Sequence, residues 1–396
     1  YSDPAIIAAC QANSPAAKGG LQVGDKIIEL EGEEINRQAQ LRHALGGRYA
    51  GEKVKVVALR GEERIEAIVE LVDKLVPFQH AFLGIAPARG ETEKGVTARY
   101  VYPGSGAAEA GIKAGDRLLT LAGEEIADAG TLQDMLAAHE PGGNVSVEFT
   151  RGGEKQTVEV ELGLLPESVP EDLATLEPPA NLPAPETPPV TGRVEIRLPE
   201  EKNECVAWVP EKYYPESPSG LVVWAAAPGV ETAEPILEAW KAAAAERGFI
   251  VLVPQPVEEN RWQPTETQFI RKAIDDVLTR YNVDRSRIVV GGYQAGGAMA
   301  FLTAFAEREL VTGLVAVDAP LPARAKAPEN DPIHRLAFLL ARAEASGEKA
   351  RIAASIEQLK NQKFPVTVVE MGDAVRPLND EERATIARWL DSLDRI

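Results

Sequence analysis

One stretch of this chain is written twice. Residues 14–35, SPAAKGGLQVGDKIIELEGEEI, align without a gap on residues 105–126, SGAAEAGIKAGDRLLTLAGEEI. The offset of 91 (Ser14 against Ser105) continues through Leu41 and Leu132, Arg60 and Arg151, and Leu71 and Leu162. A match held over that distance means two copies of one module rather than a shared turn, and each copy must bury its own small core. Each copy predicts a short helix, a Gly-Asp turn, strands, one longer helix and a closing hairpin at RGEE or RGGE. That is a small β-rich α+β domain with one prominent helix.

The S-P-A-A, G-D and G-E-E-I elements resemble the PDZ domain of bacterial Do/HtrA-type serine proteases. The resemblance implies peptide binding by strand addition, with a turn of backbone amides holding a terminal carboxylate. In the second copy the sequence Phe82, Leu83, Gly84, Ile85 stands where that loop belongs, and Gly84 permits close approach of amides to an anion. The opposite wall is expected from a helix starting near Thr131, on which Leu132, Met135 and Leu136 are spaced to line a groove. Plain core filling is the alternative for these residues, for Met135 above all. In the first copy the residue matching Phe82 would precede Tyr1, so its front strand and carboxylate loop are expected to be missing. Either upstream polypeptide supplies them or that module is a spacer. On this reading Tyr1 is the cut end of a longer parent.

The expected organisation is a first PDZ-like domain over 1–76, a second over 77–164, a linker over 165–192 and a third domain over 193–396. The linker, dense in proline and acid, predicts an extended spacer without a core of its own. Beyond it, β-runs alternate with amphipathic helices, the pattern of an α/β sheet with crossover helices. Strands are expected at 194–198, 205–209, 221–225, 249–253, 288–290, 314–317, 336–340 and 366–370. Between the β-runs, Arg287 to Phe305, RIVVGGYQAGGAMAFLTAF, feeds a tight glycine turn into an apolar helix, the context of a nucleophile elbow, G-x-S-x-G. The domain thereby resembles an α/β-hydrolase of the polyhydroxybutyrate-depolymerase or feruloyl-esterase type.

That resemblance implies a nucleophile on the elbow, a base after the last strand, a carboxylate after the preceding strand and amides for the oxyanion. Each is altered. Gln294 occupies the nucleophile position, and an uncharged amide is no nucleophile toward an acyl carbon. The chain's histidines are His43, His80, His139 and His334, so none follows the last strand, where the sequence MGDAVRP places Asp373. His334 precedes a strand, on the sheet edge opposite the usual site, and reads as a surface or capping residue. Ala226 and Ala227 replace the customary His-Gly of the oxyanion loop, and Pro228 after them has no amide. Glu344 is a nondescript candidate for the acid. Tyr293, Gln294, Ala226 and Asp373 are expected to floor any remaining cleft.

The formal net charge of −19 disfavours nucleic acid and anionic lipid as partners. Cys10 and Cys205 sit in apolar runs with no paired Cys/His spacing, so no metal or other cofactor is expected. No apolar run is long enough to span a bilayer. The reading is therefore a non-catalytic tandem-PDZ scaffold, in the periplasm or secreted, that takes protein or peptide C-termini on its second module. Two alternatives are the regulatory part of a Do-like endopeptidase and an esterase with unusual residues.

Overall fold

The Gly-Asp turn of each repeat does the same physical work in both copies. Arg60 Nε and Nη2 reach the two carboxylate oxygens of Asp25, both at 2.9 Å, and Nη2 also donates to the Gly20 carbonyl at 2.8 Å. Ninety-one residues later Arg151 meets Asp116 at 2.7 and 2.6 Å and the Gly111 carbonyl at 2.7 Å. Both aspartates are fully buried, which explains why a charged pair repeats with the apolar pattern. The Arg60 hydrogen bond holds the Asp25 carboxyl below its ordinary range. Burial pushes Asp116 up, but Arg151 and the Lys113 amide outweigh it and keep that carboxyl low as well.

The computed structural model describes residues 3–175 and 189–396. The first copy runs α1 (Pro15–Lys18), β1 (Lys26–Leu30), β2 (Glu33–Glu34), α2 (Gln38–Leu45), β3 (Lys53–Arg60) and β4 (Glu63–Glu70). Its sheet order is β2-β1-β3-β4, and among the described residues its front pairs through an isolated bridge from Ile6 to Lys26. The second copy runs β5 (Ala81–Phe82), β6 (Ile85–Pro87), β7 (Val96–Val101), α3 (Gly106–Glu109), β8 (Arg117–Leu121), β9 (Glu124–Glu125), α4 (Ala129–Ala137), β10 (Asn144–Arg151), β11 (Glu154–Glu161) and β12 (Gly163–Leu164). Here the path is β11-β10-β8-β7-β6, so β6 is an edge strand. Ser14 and Ser105 cap the short helices α1 and α3 through their hydroxyls, which is why each repeat opens on serine.

The remaining elements are β13 (Gly192–Glu195), β14 (Cys205–Val209), β15 (Ser219–Ala225), α5 (Ala233–Arg247), β16 (Phe249–Pro254), α6 (Thr267–Arg280), β17 (Val283–Tyr293), α7 (Ala295–Ala306), β18 (Gly313–Val317), β19 (Ala337–Arg342), α8 (Lys349–Asn361), β20 (Val366–Glu370) and α9 (Asp380–Asp391). They build one eight-stranded sheet ordered β13-β14-β16-β15-β17-β18-β19-β20. The first three pair antiparallel and every later pair is parallel, the strand order of an α/β-hydrolase. Helices cover both faces, so the central strands are apolar throughout rather than alternating. Two strands differ from expectation. β17 starts at Val283, because the Asp284 carboxylate ties down Ser286 and Arg287 and lets the polar segment extend the strand. β13 ends at Glu195, short of the apolar residues that follow.

The linker also differs from a free spacer. Leu173 is buried, its carbonyl accepts from Arg247 at 2.8 Å, and the Glu167 carbonyl accepts from Thr367 Oγ1 at 2.7 Å. Tyr100 donates to Asp172 at 2.7 Å, tying the same segment to the second copy. Residues 166–175 therefore run against folded surface, while the prolines over 176–188 lie outside the described residues. Cys205 is buried in the large core and Cys10 is half-buried.

Replacing Arg151 with Ala strands a buried carboxylate and is expected to destabilise the second copy by about 1–3 kcal/mol, read by urea unfolding at pH 7. Because the Asp116 pKa is depressed on folding, its contribution is complete above the unfolded value of about 3.9 and disappears as the pH falls through the lower folded value. The difference between wild type and Arg151→Ala should accordingly shrink in acid.

Candidate functional site

The loop after β5 and the edge of β6 hold residue 396 by backbone hydrogen bonds. The Gly84 and Ile85 amides donate to the Ile396 carbonyl oxygen at 2.9 and 3.0 Å, and the Ile396 amide donates to the Ile85 carbonyl at 2.8 Å. Ile396 thus extends the β6 edge as an added strand would. Gly84 has φ of 115°, and a Cβ there would stand 2.1 Å from Ser105 Oγ, so only glycine fits the turn. The Ile396 side chain is fully buried in one apolar cluster with Leu83, Ile85, Leu132 and Leu136, and Met135 packs half-buried against it.

The approach of this tail is held by charge. Helix α9 begins with a reciprocal cap, Asn379 with Glu382, and buries Ile386, Trp389 and Leu390 against the sheet, which fixes where Asp391 emerges. Arg89 donates to Asp394 Oδ2 at 2.6 Å, to Asp391 Oδ1 at 2.6 Å and to the Asp391 carbonyl at 2.7 Å. Arg99 donates to the same carbonyl at 2.7 Å and to Asp394 Oδ1 at 3.2 Å. Arg247 reaches Asp391 at 3.3 Å from α5. Burial pushes the Asp391 carboxyl up, but Arg89, Arg287 and Arg99 together hold it below the usual carboxylate range.

The elbow between β17 and α7 keeps its backbone. Gln294 has φ of 45° and ψ of −109°, a strained conformation for a side-chain-bearing residue. A Cβ on Gly292 would lie 2.4 Å from the Gly296 carbonyl carbon, one on Gly296 2.1 Å from Ala225 O, and one on Gly297 2.6 Å from Ala319 Cβ. The Gln294 side chain donates to Asp318 Oδ2 at 3.2 Å. The Ala227 amide donates to Glu231 Oε2 at 3.0 Å, and the Ala226 carbonyl accepts from Trp262 Nε1 at 2.9 Å. Burial raises the Glu231 carboxyl, and burial with Asp318 and Glu231 nearby raises the Tyr293 phenol. The Glu231 carboxylate therefore occupies the Ala227 amide beside the elbow.

The structure brings Leu83, Gly84, Ile85, Leu132 and Leu136 together around Ile396. Phe82 is corrected: alternation along β5 turns its ring to the other side, edge-on to Tyr102 at 5.1 Å between centroids, in a separate cluster with Ala86. Asp373 is corrected too. It is exposed on the loop after β20, where its carbonyl accepts from the Ala345 amide, and the carboxylate beside Gln294 is Asp318. Glu344 is exposed and pairs with Lys349. His334 caps locally, with Nδ1 3.1 Å from Asp331 Oδ1. Missed by sequence reasoning were Asp318, signalled only by its place at the end of the LVAV strand, and Ile396, signalled by nothing local. In the first copy Leu41 and Leu45, which match Leu132 and Leu136, remain half-buried. A cavity of about 1010 Å³ lies between the second copy and the sheet, lined by His80, Arg89, Asp284 and Arg395, away from the elbow.

The family model "PDZ domain" matches residues 2–71 and 81–162, so both repeats are PDZ domains. The chain is similar to a "Probable periplasmic serine endoprotease DegP-like" of Pseudomonas fluorescens, 40% identical over 86 residues, covering 22% of this chain and 18% of that protein. A protein of the same name from Brucella suis is 27% identical over 159 residues, covering 36% of this chain and 31% of its own length. The chain thus spans less than a third of these relatives. Among solved structures, an esterase of Pyrobaculum calidifontis covers 52% of this chain and 87% of its own at 16% identity and TM-score 0.44. A ferulic acid esterase covers 51% and 96% at 14% identity and TM-score 0.39. For the third unit the strand order and elbow above are the firmer ground.

Gly296→Ala should lower the stability of the eight-stranded unit by about 1–3 kcal/mol, because the added methyl meets backbone rather than a movable side chain. Chemical unfolding followed by tryptophan fluorescence measures it, since Trp224, Trp240 and Trp389 are all buried there.

Proposed function

We propose that this chain is a non-catalytic peptide-binding scaffold, in which the second PDZ domain takes chain ends and the eight-stranded unit is a hydrolase fold without hydrolase chemistry. The carrying observation is the paired donation of the Gly84 and Ile85 amides to the carbonyl of Ile396, whose side chain fills an apolar pocket. Three features support the absence of catalysis. Gln294 stands on the elbow, no histidine follows β20, and the Ala227 amide already serves the Glu231 carboxylate, which would repel an oxyanion. We also propose a periplasmic or secreted location, by likeness to relatives named periplasmic.

Two measurements test this. The chain and Gln294→Ala should hydrolyse activated short-chain esters at the same background rate; a working nucleophile would lose several orders of magnitude on substitution. Immobilised chain should enrich peptides with free aliphatic C-termini over their amidated forms, and Gly84→Ala should abolish the enrichment. A second reading, the regulatory part of a serine endoprotease, is favoured by the DegP-like similarity of the PDZ domains. The mass of the intact polypeptide in its native host separates the two: a parent carrying a protease domain supports the second.

A further inference from the structure

We infer that the segment Asp394–Ile396 is a tethered occupant of the second PDZ groove, so that an outside peptide enters only by displacing it. This rests on the peptide-binding reading above and deepens it by naming both the competitor and the kind of ligand selected. The tail leaves the core of the eight-stranded unit at Leu393, which is buried there, and three residues later Ile396 is buried in the PDZ core instead. The Arg395 guanidinium folds back onto the Ser392 carbonyl at 2.9 Å, and its own carbonyl accepts from Arg335 at 3.1 Å, so the crossing is held at each residue. The groove reads the occupant in two places. The pocket of Leu83, Ile85, Leu132 and Leu136 accepts a branched aliphatic side chain at the last position. Arg89 and Arg99, both from the PDZ domain, grip the Asp394 carboxylate at the third position from the end. A matching partner presents an aliphatic residue to this pocket and an acid two residues before it.

Tethering makes displacement costly. A segment anchored this close presents an effective concentration in the millimolar range, so a free peptide of micromolar affinity binds the intact chain at least about tenfold more weakly than the opened one. The experiment uses three full-length proteins: the chain itself, a chain ending at Arg395, and Ile396→Asp. Each is titrated into a labelled hexapeptide with the sequence of residues 391–396, followed by fluorescence anisotropy. Amide exchange of Gly84 and Ile85 is measured in parallel, and circular dichroism checks folding.

The expected result is an affinity at least about tenfold higher for both altered proteins, with faster exchange at Gly84 and Ile85. A hexapeptide carrying Asp394→Asn should bind the opened chain less tightly. Equal affinity for all three proteins, or unchanged exchange, overturns the tethered occupant while leaving peptide binding intact. Failure of the opened chain to bind this hexapeptide also overturns it, and if a library of free C-termini then yields no ligand either, the peptide-binding reading itself fails.

Discussion

Seven charged side chains drawn from distant parts of the chain converge where the second PDZ domain meets the eight-stranded sheet: Arg89, Arg99, Arg247 and Arg287 with Asp284, Asp391 and Asp394. Buried charges are tolerated only when each is met by an opposite charge in good geometry, because desolvation costs several kcal/mol per ion. Here burial alone would lower the Arg89 guanidinium, yet Asp394 and Asp391 hold it above its ordinary value. The arrangement has little freedom. Asp391 and Asp394 each meet more than one arginine, so the cluster constrains the direction of the tail relative to the groove more than apolar packing would. Burial of the Ile396 side chain adds about 1.5–3 kcal/mol without further constraint on direction.

The hydrolase-like half presents the opposite balance. Its elbow holds a strained residue and three glycines that no side chain can replace, at a cost in conformational freedom. The groups around it are arranged otherwise. Gln294 turns to Asp318, and Glu231 occupies the Ala227 amide. A fold of this kind packs α7 against β17 and β18 through that same turn, which is reason enough for the glycines there.

The two PDZ domains show how one module serves two ends. The Asp-Arg pair is reproduced in both, but Leu132 and Leu136 are covered by the front loop and by Ile396, whereas Leu41 and Leu45 are left half-buried. A groove is thus finished by elements outside the repeated core, and the same helix face can be core in one copy and surface in the other.

Much was legible beforehand because it is local or periodic. The offset of 91 exposed the modules, the strand-glycine-helix run exposed the elbow, and a census of the histidines found His334 the last of four. Gly84 and the groove residues Leu132 and Leu136 were expected from the resemblance of the second copy to a PDZ domain. What tertiary structure alone decided is long-range pairing: Asp391 and Asp394 meet Arg89 across about three hundred residues of chain, Asp318 replaces Asp373 beside Gln294, and Phe82 faces away from its neighbours' ligand. Side-chain periodicity records which residues are buried in an element; it carries no information about which distant segment is buried against them, since that depends on how the elements pack in space.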